Sequence, residues 1–288
     1  EGVAVRAVLQ ICHGVAEHIA RYDGFARALN EQGIVVAGHD HLGHGKSLPE
    51  GGTPVYFGQG STWNTVVDDI YILHQRLKQR YPDVPLCIMG HSMGSFLTRT
   101  YLIRYPGTVK AAIIMGTGWQ PQAAITGGLA LANAIAAVSG ENATSELVTE
   151  LAFGSYNKLF APNRTKVDWL SADESNVDDY IADPLCGADA TVGLFRQMLH
   201  GIRFNQRQSH LRQMDREMPV LFVAGDKDPV GSCGKGVRQT YDAFRAAGMR
   251  DCTLKLYPGL RHEILNEKAY TADITKNIEA WLLSRLEK

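Results

Sequence analysis

Gly90-His91-Ser92-Met93-Gly94 is the stretch whose residue types and spacing could do chemistry. Gly-x-Ser-x-Gly, placed after a strand and before a helix, is the turn that lifts a serine hydroxyl above a parallel sheet. The glycines carry no Cβ, so strand and helix can crowd a strained turn. A serine hydroxyl is a weak nucleophile at neutral pH and needs an adjacent base, itself oriented by a third group. On this kind of turn the partners are expected in the order serine, acid, histidine. Asp226-Lys227-Asp228-Pro229 and Gly259-Leu260-Arg261-His262 supply them, and the residues alone leave both aspartates open as the acid. His13, His18, His41, His44 and His91 also sit on loops after strands, but they precede the acid; only His262 has the expected order. Acyl transfer builds an oxyanion that needs donors fixed in advance. The expected donors are the backbone N–H of Met93, just after the serine, and of Val15, where Gly14 lets the chain turn towards it.

The elements that must position these groups appear as apolar runs alternating with helical patterns. Residues 3–12 read as a strand that leads into the His13-Gly14-Val15 loop. Phe25, Ala28 and Leu29 recur at helical spacing up to Gly33, and 34–37 reads as a second buried strand. The glycines of Asp40-His41-Leu42-Gly43-His44-Gly45 punctuate a loop; its Gly-x-Gly opens no helix, so a phosphate cradle is not expected. Val66, Val67, Ile70, Leu73, Leu77 and Tyr81 mark an amphipathic helix that Pro82 ends. Strands at 86–89 and 109–115 follow, with a helix from Ser95 to Pro106 between them. Continuous apolar strands alternating with helices indicate an α/β fold, a mostly parallel sheet covered on both faces.

From Thr117 to Met218 the alternation stops, and only helix-like segments remain, at 129–138, 145–153 and 191–204. Links between strands of an α/β sheet are usually short, so about a hundred helical residues imply an insertion that packs as its own unit. The expected division is a core of 1–116 and 219–288 with a helical cap at 117–218. Strands at 219–225 and 252–257, with helices at 235–247 and 271–286, complete the core.

Composition narrows the function classes. A formal net charge of −1 favours neither nucleic acid nor an anionic membrane surface as partner. The five cysteines (Cys12, Cys87, Cys186, Cys233 and Cys252) are scattered, without a Cys-x-x-Cys pair, which suits reduced thiols in a cytoplasmic protein better than disulfides or a zinc site. No signal peptide opens the sequence. The most apolar stretch, 129–138, is too short to span a bilayer and carries Asn133.

Five motifs, in order and spacing, resemble the monoacylglycerol lipase and lysophospholipase branch of the α/β-hydrolases: His13-Gly14-x-x-Glu17-His18-x-x-Arg21-Tyr22, Asp40-x-x-Gly43-His44-Gly45-x-Ser47, Gly90-His91-Ser92-Met93-Gly94, Gly225-Asp226-x-Asp228 and the His262 loop. The resemblance spans nearly the whole chain and is loose only in the insertion. It implies a cytosolic or membrane-peripheral serine hydrolase of single-chain lipid esters, with no cofactor or metal. It also implies a triad of Ser92, Asp228 and His262, oxyanion donors at Val15 and Met93, and Glu17 and Arg21 near the polar end of the site or bracing its loop. There are two departures: that branch usually begins with an antiparallel hairpin before the first parallel strand, and Leu265 stands where some relatives carry a second histidine for the glycerol head group. The alternatives that stay open are a peptidase or amidase, or a general carboxylesterase, on the same triad, and a ligand receptor on a hydrolase fold. Apolar residues of the insertion (Leu129, Leu131, Ile135, Phe153, Leu159, Phe195, Met198 and Leu199) are expected to form its small core and to wall an acyl channel.

Overall fold

The computed structural model describes residues 3–286. Six strands, β1 (Ala7–Cys12), β2 (Ile34–Gly38), β3 (Leu86–His91), β4 (Ala111–Met115), β5 (Val220–Gly225) and β6 (Cys252–Tyr257), pair in parallel in the order β2-β1-β3-β4-β5-β6. β1 starts four residues later than the apolar run suggested; Val3 and Val5 are exposed and have no strand partner. β2 is an edge strand, buried at Ile34 and half-buried beyond it, so the fully buried strand expected there is corrected. β1, β3, β4 and β5 are buried throughout, as strands covered on both faces must be.

The core helices are α1 (Asp23–Asn30), α2 (Trp63–Arg80), α3 (Met93–Arg104), α10 (Lys235–Ala246) and α11 (Thr271–Leu286). One apolar cluster gathers Val66, Val67 and Ile70 of α2 with Phe96 and Leu97 of α3 and Phe222 of β5. The opposite face of the sheet packs Leu29, Ile274 and Ile278. α3 is buried from Met93 to Ile103, its polar side chains included. Part of this polar set is bonded inside: Trp63 Nε1 donates to Thr100 Oγ1 at 2.8 Å, and Thr100 Oγ1 donates to Asn205 Oδ1 at 2.8 Å, whereas Thr98 Oγ1 has no hydrogen-bond partner among the described residues. Arg99 Nη1 donates to the Gly118 carbonyl at 3.0 Å, and burial lowers the guanidinium to about 9.

Between β4 and β5 the chain is helical: α4 (Gln122–Ser139), α5 (Glu146–Thr149), α6 (Ser155–Lys158), α7 (Glu174–Ala182), α8 (Val192–Asn205) and α9 (Gln208–Leu211). Residues Glu150–Gly154 wind as a π-helix between α5 and α6, and Thr144 and Thr191 form an isolated antiparallel bridge. α7, which the sequence patterns missed, is short and carries few apolar residues. α4 is longer than the apolar run within it: its 18 residues are long and apolar enough to cross a membrane by length and composition, and 17% of them are buried. Leu131, Ile135 and Phe195 pack on Ala132, Val148 and Val192 as a small local core; Leu129, Met198 and Leu199 join the main core, and Leu159 is exposed.

The strand order reverses between β1 and β3, and crevices at the carboxyl ends of such strands are where α/β sheets bind ligands. The register Cys12↔Gly90 sets the loop after β1 directly beside the serine turn. That approach depends on Gly94, where a Cβ would lie 2.0 Å from the Cys12 carbonyl oxygen. We expect Gly94→Ala to cost about 1–3 kcal/mol through overpacking. At Gly127, on exposed α4, a Cβ meets nothing within 4 Å. Gly127→Ala should gain up to about 1 kcal/mol from helix propensity alone. Urea unfolding of both variants tests this; equal effects would show that β1 and α3 are not in tight contact.

Candidate active site

Ser92 sits between the end of β3 and the first residue of α3 with φ 54° and ψ −121°. A non-glycine residue held at positive φ costs on the order of 1–3 kcal/mol, which the surroundings must offset. Here they do so by packing and by the Ser92 N–H, which donates to the Met115 carbonyl at 3.1 Å. A Cβ on Gly14 would lie 3.1 Å from Ser92 Cβ, so the loop after β1 passes against the serine side chain. The Gly14 N–H is taken, donating to Glu17 Oε1 at 2.5 Å. Among the described residues, the N–H groups of Val15 and Met93 join none of the turn, loop or cap hydrogen bonds around them. Two expected donors thus lie on either side of Ser92, one from the loop and one from the helix start.

The two aspartates are separated by their contacts. Both Asp228 oxygens lie 3.0 Å from His262 Nδ1, and the pair is buried, at 0% and 2% exposure. Asp228 Oδ1 also accepts from the Val230 N–H at 2.9 Å. Asp226 Oδ1 instead accepts from the Gly259 N–H at 2.8 Å and braces the next loop. Gly225↔Tyr257 pairing brings those two loops together. Gly116, at φ 58°, leaves room for the imidazole: a Cβ there would lie 3.1 Å from His262 Cε1.

Two further rings lie around the imidazole. His91, of the serine motif, lies tilted 4.6 Å from the His262 ring, and Trp169, from the helical insertion and marked by no sequence pattern, lies 5.2 Å from it. The residues flanking His262 are both tied to that insertion. Arg261 Nη1 donates to the carbonyls of Asp168 (2.5 Å) and Ser171 (3.0 Å), and the Glu263 N–H donates to the Leu170 carbonyl at 2.8 Å. These partners stand about 90 residues apart in sequence, beyond the reach of any local signal.

Glu17 and Arg21 meet, as the loop-bracing alternative would have it, but in a larger network. Arg21 Nη1 donates to Glu17 at 3.0 Å, and its fork donates to both oxygens of Glu263 at 2.6 and 2.8 Å. Asn176 Nδ2 also donates to Glu263, at 2.8 Å, and Tyr22 donates to Glu17, at 2.9 Å. Burial would raise the Glu17 carboxyl, but the His91 contact and the charges of His91 and Arg21 outweigh it and hold it well below the usual range. Burial likewise opposes Glu263, and the Arg21 guanidinium reverses that, so it too is lowered. His91 has an acceptor at each ring nitrogen, Glu17 Oε1 at 3.2 Å and the His262 carbonyl at 3.3 Å. Only the doubly protonated ring satisfies both, which is why its pKa is raised in spite of burial. Glu263, the missed member, follows His262 directly; its charge beside Ile264-Leu265 was the available clue.

A second histidine group lies behind the oxyanion loop. The His13 and His41 rings are 4.2 Å apart, with His44 5.4 Å from His13 and His39 5.2 Å from His41. His13 Nδ1 donates to the Gly14 carbonyl at 2.7 Å while its Nε2 accepts the His41 N–H at 2.9 Å, so the ring is the neutral tautomer. Burial lowers all four, His13 to about 3. A surface cavity of about 440 Å³ lies at the other end of the sheet, lined among others by Lys78, Lys110, Asp251 and Arg285, and touches none of these groups.

The family described as "Serine aminopeptidase, S33" matches residues 3–269. The chain is 31% identical to a monoacylglycerol lipase of Mycolicibacterium smegmatis over 98% of its own length and 89% of that protein's. It is 28% identical to the monoglyceride lipase of Mus musculus, covering 98% and 84%. Its fold is similar to that of a thermostable carboxyl esterase from Bacillus coagulans in complex with glycerol, with a TM-score of 0.92, 26% identity and coverage of 99% and 91%.

Two outcomes are expected from this geometry. Replacing a histidine-orienting aspartate by asparagine favours the wrong imidazole tautomer and costs about four orders of magnitude in kcat in trypsin-like enzymes. Asp228→Asn should therefore lose far more ester hydrolysis than Asp226→Asn, measured as kcat on one soluble ester; the reverse ranking would reassign the acid. The second outcome concerns pH. The four histidines behind the oxyanion loop, together with His74 and His200, which burial also lowers, favour the neutral form when folded and take up protons when unfolded below about pH 6.5, so their contribution is complete above that value and lost as pH falls. Each adds a slope of up to about 1.4 kcal/mol per pH unit; His91, raised, has its opposing slope above about pH 6.5 and contributes a constant amount well below that value. Urea unfolding between about pH 6.5 and 5 should show stability falling with acid by more than one proton's slope. A flat profile would contradict four buried neutral rings.

Proposed function

Because the chain belongs to the serine aminopeptidase S33 family, which matches residues 3–269, we infer that it is a carboxylic ester hydrolase of single-chain lipid esters, acting through an acyl-enzyme on Ser92. The observation that carries the reading is His262 Nδ1 held between both Asp228 oxygens, on a loop at the same edge of the sheet as the Ser92 turn. In this reading His262 takes the Ser92 proton as the hydroxyl attacks the ester carbonyl, and the Val15 and Met93 N–H groups hold the oxyanion. The imidazolium then gives its proton to the departing alcohol. Water, activated by the same imidazole, releases the fatty acid and restores Ser92. The reaction needs no cofactor.

Relatives named as monoacylglycerol and monoglyceride lipases support a monoacylglycerol-type substrate. The charges favour a neutral alcohol over a phosphate-bearing one. Arg21, the cation beside Glu17, is already bound by Glu17 and Glu263 and is not free to hold the phosphate of a lysophospholipid. Leu265 stands where a second histidine would meet a glycerol hydroxyl, which argues against strong selectivity for the glycerol head group. Residues 117–218 serve as the cap over a core of 1–116 and 219–288. Trp169 lies against His262 and Phe153 stacks with it 6.4 Å away, which gives the cap an apolar wall beside the triad. α4, apolar and little buried, suits peripheral contact with a lipid surface. The five free cysteines suit a reducing, cytoplasmic setting.

The test is a panel of single-chain esters from acetate to long acyl chains, with a triacylglycerol and peptide amides as controls. Catalytic efficiency should rise to medium chains, at up to about 0.8 kcal/mol for each methylene buried, and then level off. Ser92→Ala should abolish both turnover and labelling by a fluorophosphonate probe. A maximum at acetate, faster triacylglycerol cleavage, or preference for the amides would overturn the lipid reading; labelling that survives Ser92→Ala would overturn the nucleophile.

A further inference from the structure

We propose that His18, Asp183 and Cys186 form a site for one thiophilic divalent cation of the zinc class, which would tie the helical insertion to the loop that carries Val15. The three ligand atoms, a ring nitrogen, a carboxylate oxygen and a thiol sulfur, all lie within 4.8 Å of one another. His18 Nε2 and Asp183 Oδ2 are 2.8 Å apart. Zinc takes N, O and S ligands at about 2.0–2.3 Å in a tetrahedron, so its ligand atoms sit a little over 3 Å apart. Seating a cation here therefore needs the His18–Asp183 contact to open by a fraction of an ångström. Three protein ligands and one exchangeable water is a coordination zinc commonly accepts.

The backbone already holds the ligands in place. Asp183 and Cys186 open and close a turn in which the Cys186 N–H donates to the Asp183 carbonyl at 3.0 Å, and the Leu185 N–H donates to Asp183 Oδ1 at 2.9 Å. The turn is seated on the His18 loop by the Gly187 N–H, donating to the Ala16 carbonyl at 3.0 Å, and by the Tyr180 hydroxyl, donating to the same oxygen at 2.9 Å. None of these bonds uses Oδ2 of Asp183, Nε2 of His18 or Sγ of Cys186.

Electrostatics suit a cation in spite of nearby Arg21. That guanidinium is matched by Glu17 and Glu263, and Asp183 adds a third carboxylate to the neighbourhood. Burial keeps the Cys186 thiol protonated, pushed up to about 12; the Arg21 charge opposes this, and Asp183, Glu17 and Glu263 add to it. A bound divalent ion would displace that proton, forming a sulfur–metal bond and releasing one H⁺ to solvent, as metal thiolates require. Sequence spacing gives no hint of the site, because His18 and Asp183 are 165 residues apart. The inference does not depend on which residues cut the ester.

The experiment titrates the full chain, stripped with chelator, with Co²⁺ as a spectroscopic stand-in for zinc. The wild type should develop a thiolate-to-cobalt charge-transfer band that saturates at one equivalent and is bleached by Zn²⁺. Cys186→Ser should lose the band and keep basal esterase activity, while Cys233→Ser, at the exposed thiol, should keep both. Asp183→Asn should weaken binding by at least the roughly 10–100-fold that losing even an outer-shell partner costs. His18→Gln is a second ligand variant, checked for folding by circular dichroism. Zn²⁺ should raise the thermal midpoint of the wild type and leave that of Cys186→Ser unchanged. No saturable band, or a band that persists in Cys186→Ser, would leave His18 and Asp183 as a plain ion pair and overturn the proposal.

Discussion

The whole site depends on how closely α3 can approach the end of β1. The contact is set by a missing side chain: any Cβ on Gly94 would sit inside the Cys12 carbonyl. With α3 drawn in, its first N–H and the loop after β1 flank the same serine, and the serine is forced to a positive φ. The neighbouring strands then do the rest by register alone. β4 supplies the Met115 carbonyl that holds the turn, and β5 and β6 carry their loops to the same edge of the sheet. A helix buried on every side is the cost: the Ser95 and Thr100 hydroxyls find partners in Trp63, Asn205 and the helix's own backbone carbonyls, while the Thr98 hydroxyl has none among the described residues.

Glu17 plays a similar part for the polar half of the site. One carboxylate oxygen gathers the Gly14 N–H, the Tyr22 hydroxyl and His91, and the other faces Arg21. It occupies the Gly14 N–H, whereas the next N–H, that of Val15, joins none of the turn and loop hydrogen bonds among the described residues. A buried carboxylate with this many donors stays ionised where an isolated one would not. The loop is thus shaped by charge pairing, while the serine turn is shaped by steric exclusion.

What was legible in the sequence follows from what acts locally. β6 and α11 were readable to the residue because apolar period and turn residues are properties of short windows. Ser92, His262 and the aspartate pair were readable because each sits just past a strand. The contacts of Glu263 with Arg21, of Arg261 with the carbonyls of Asp168 and Ser171, and of Trp169 with His262 were not, since each joins segments that only the folded chain brings together. Within the insertion, α7 escaped notice because charged and polar residues dominate it, and the reach of α4 was underestimated because alanine and glycine extend a helix without adding to an apolar run.

The hydrogen bonds on either side of His262 couple it to the insertion. Asp168, Leu170 and Ser171 belong to the insertion, and they hold the residues before and after the imidazole. Any swing of that segment away from the core releases both flanks and withdraws Trp169 at the same moment. The position of the insertion and the aim of the imidazole are therefore set by one shared group of bonds, and neither can shift without the other.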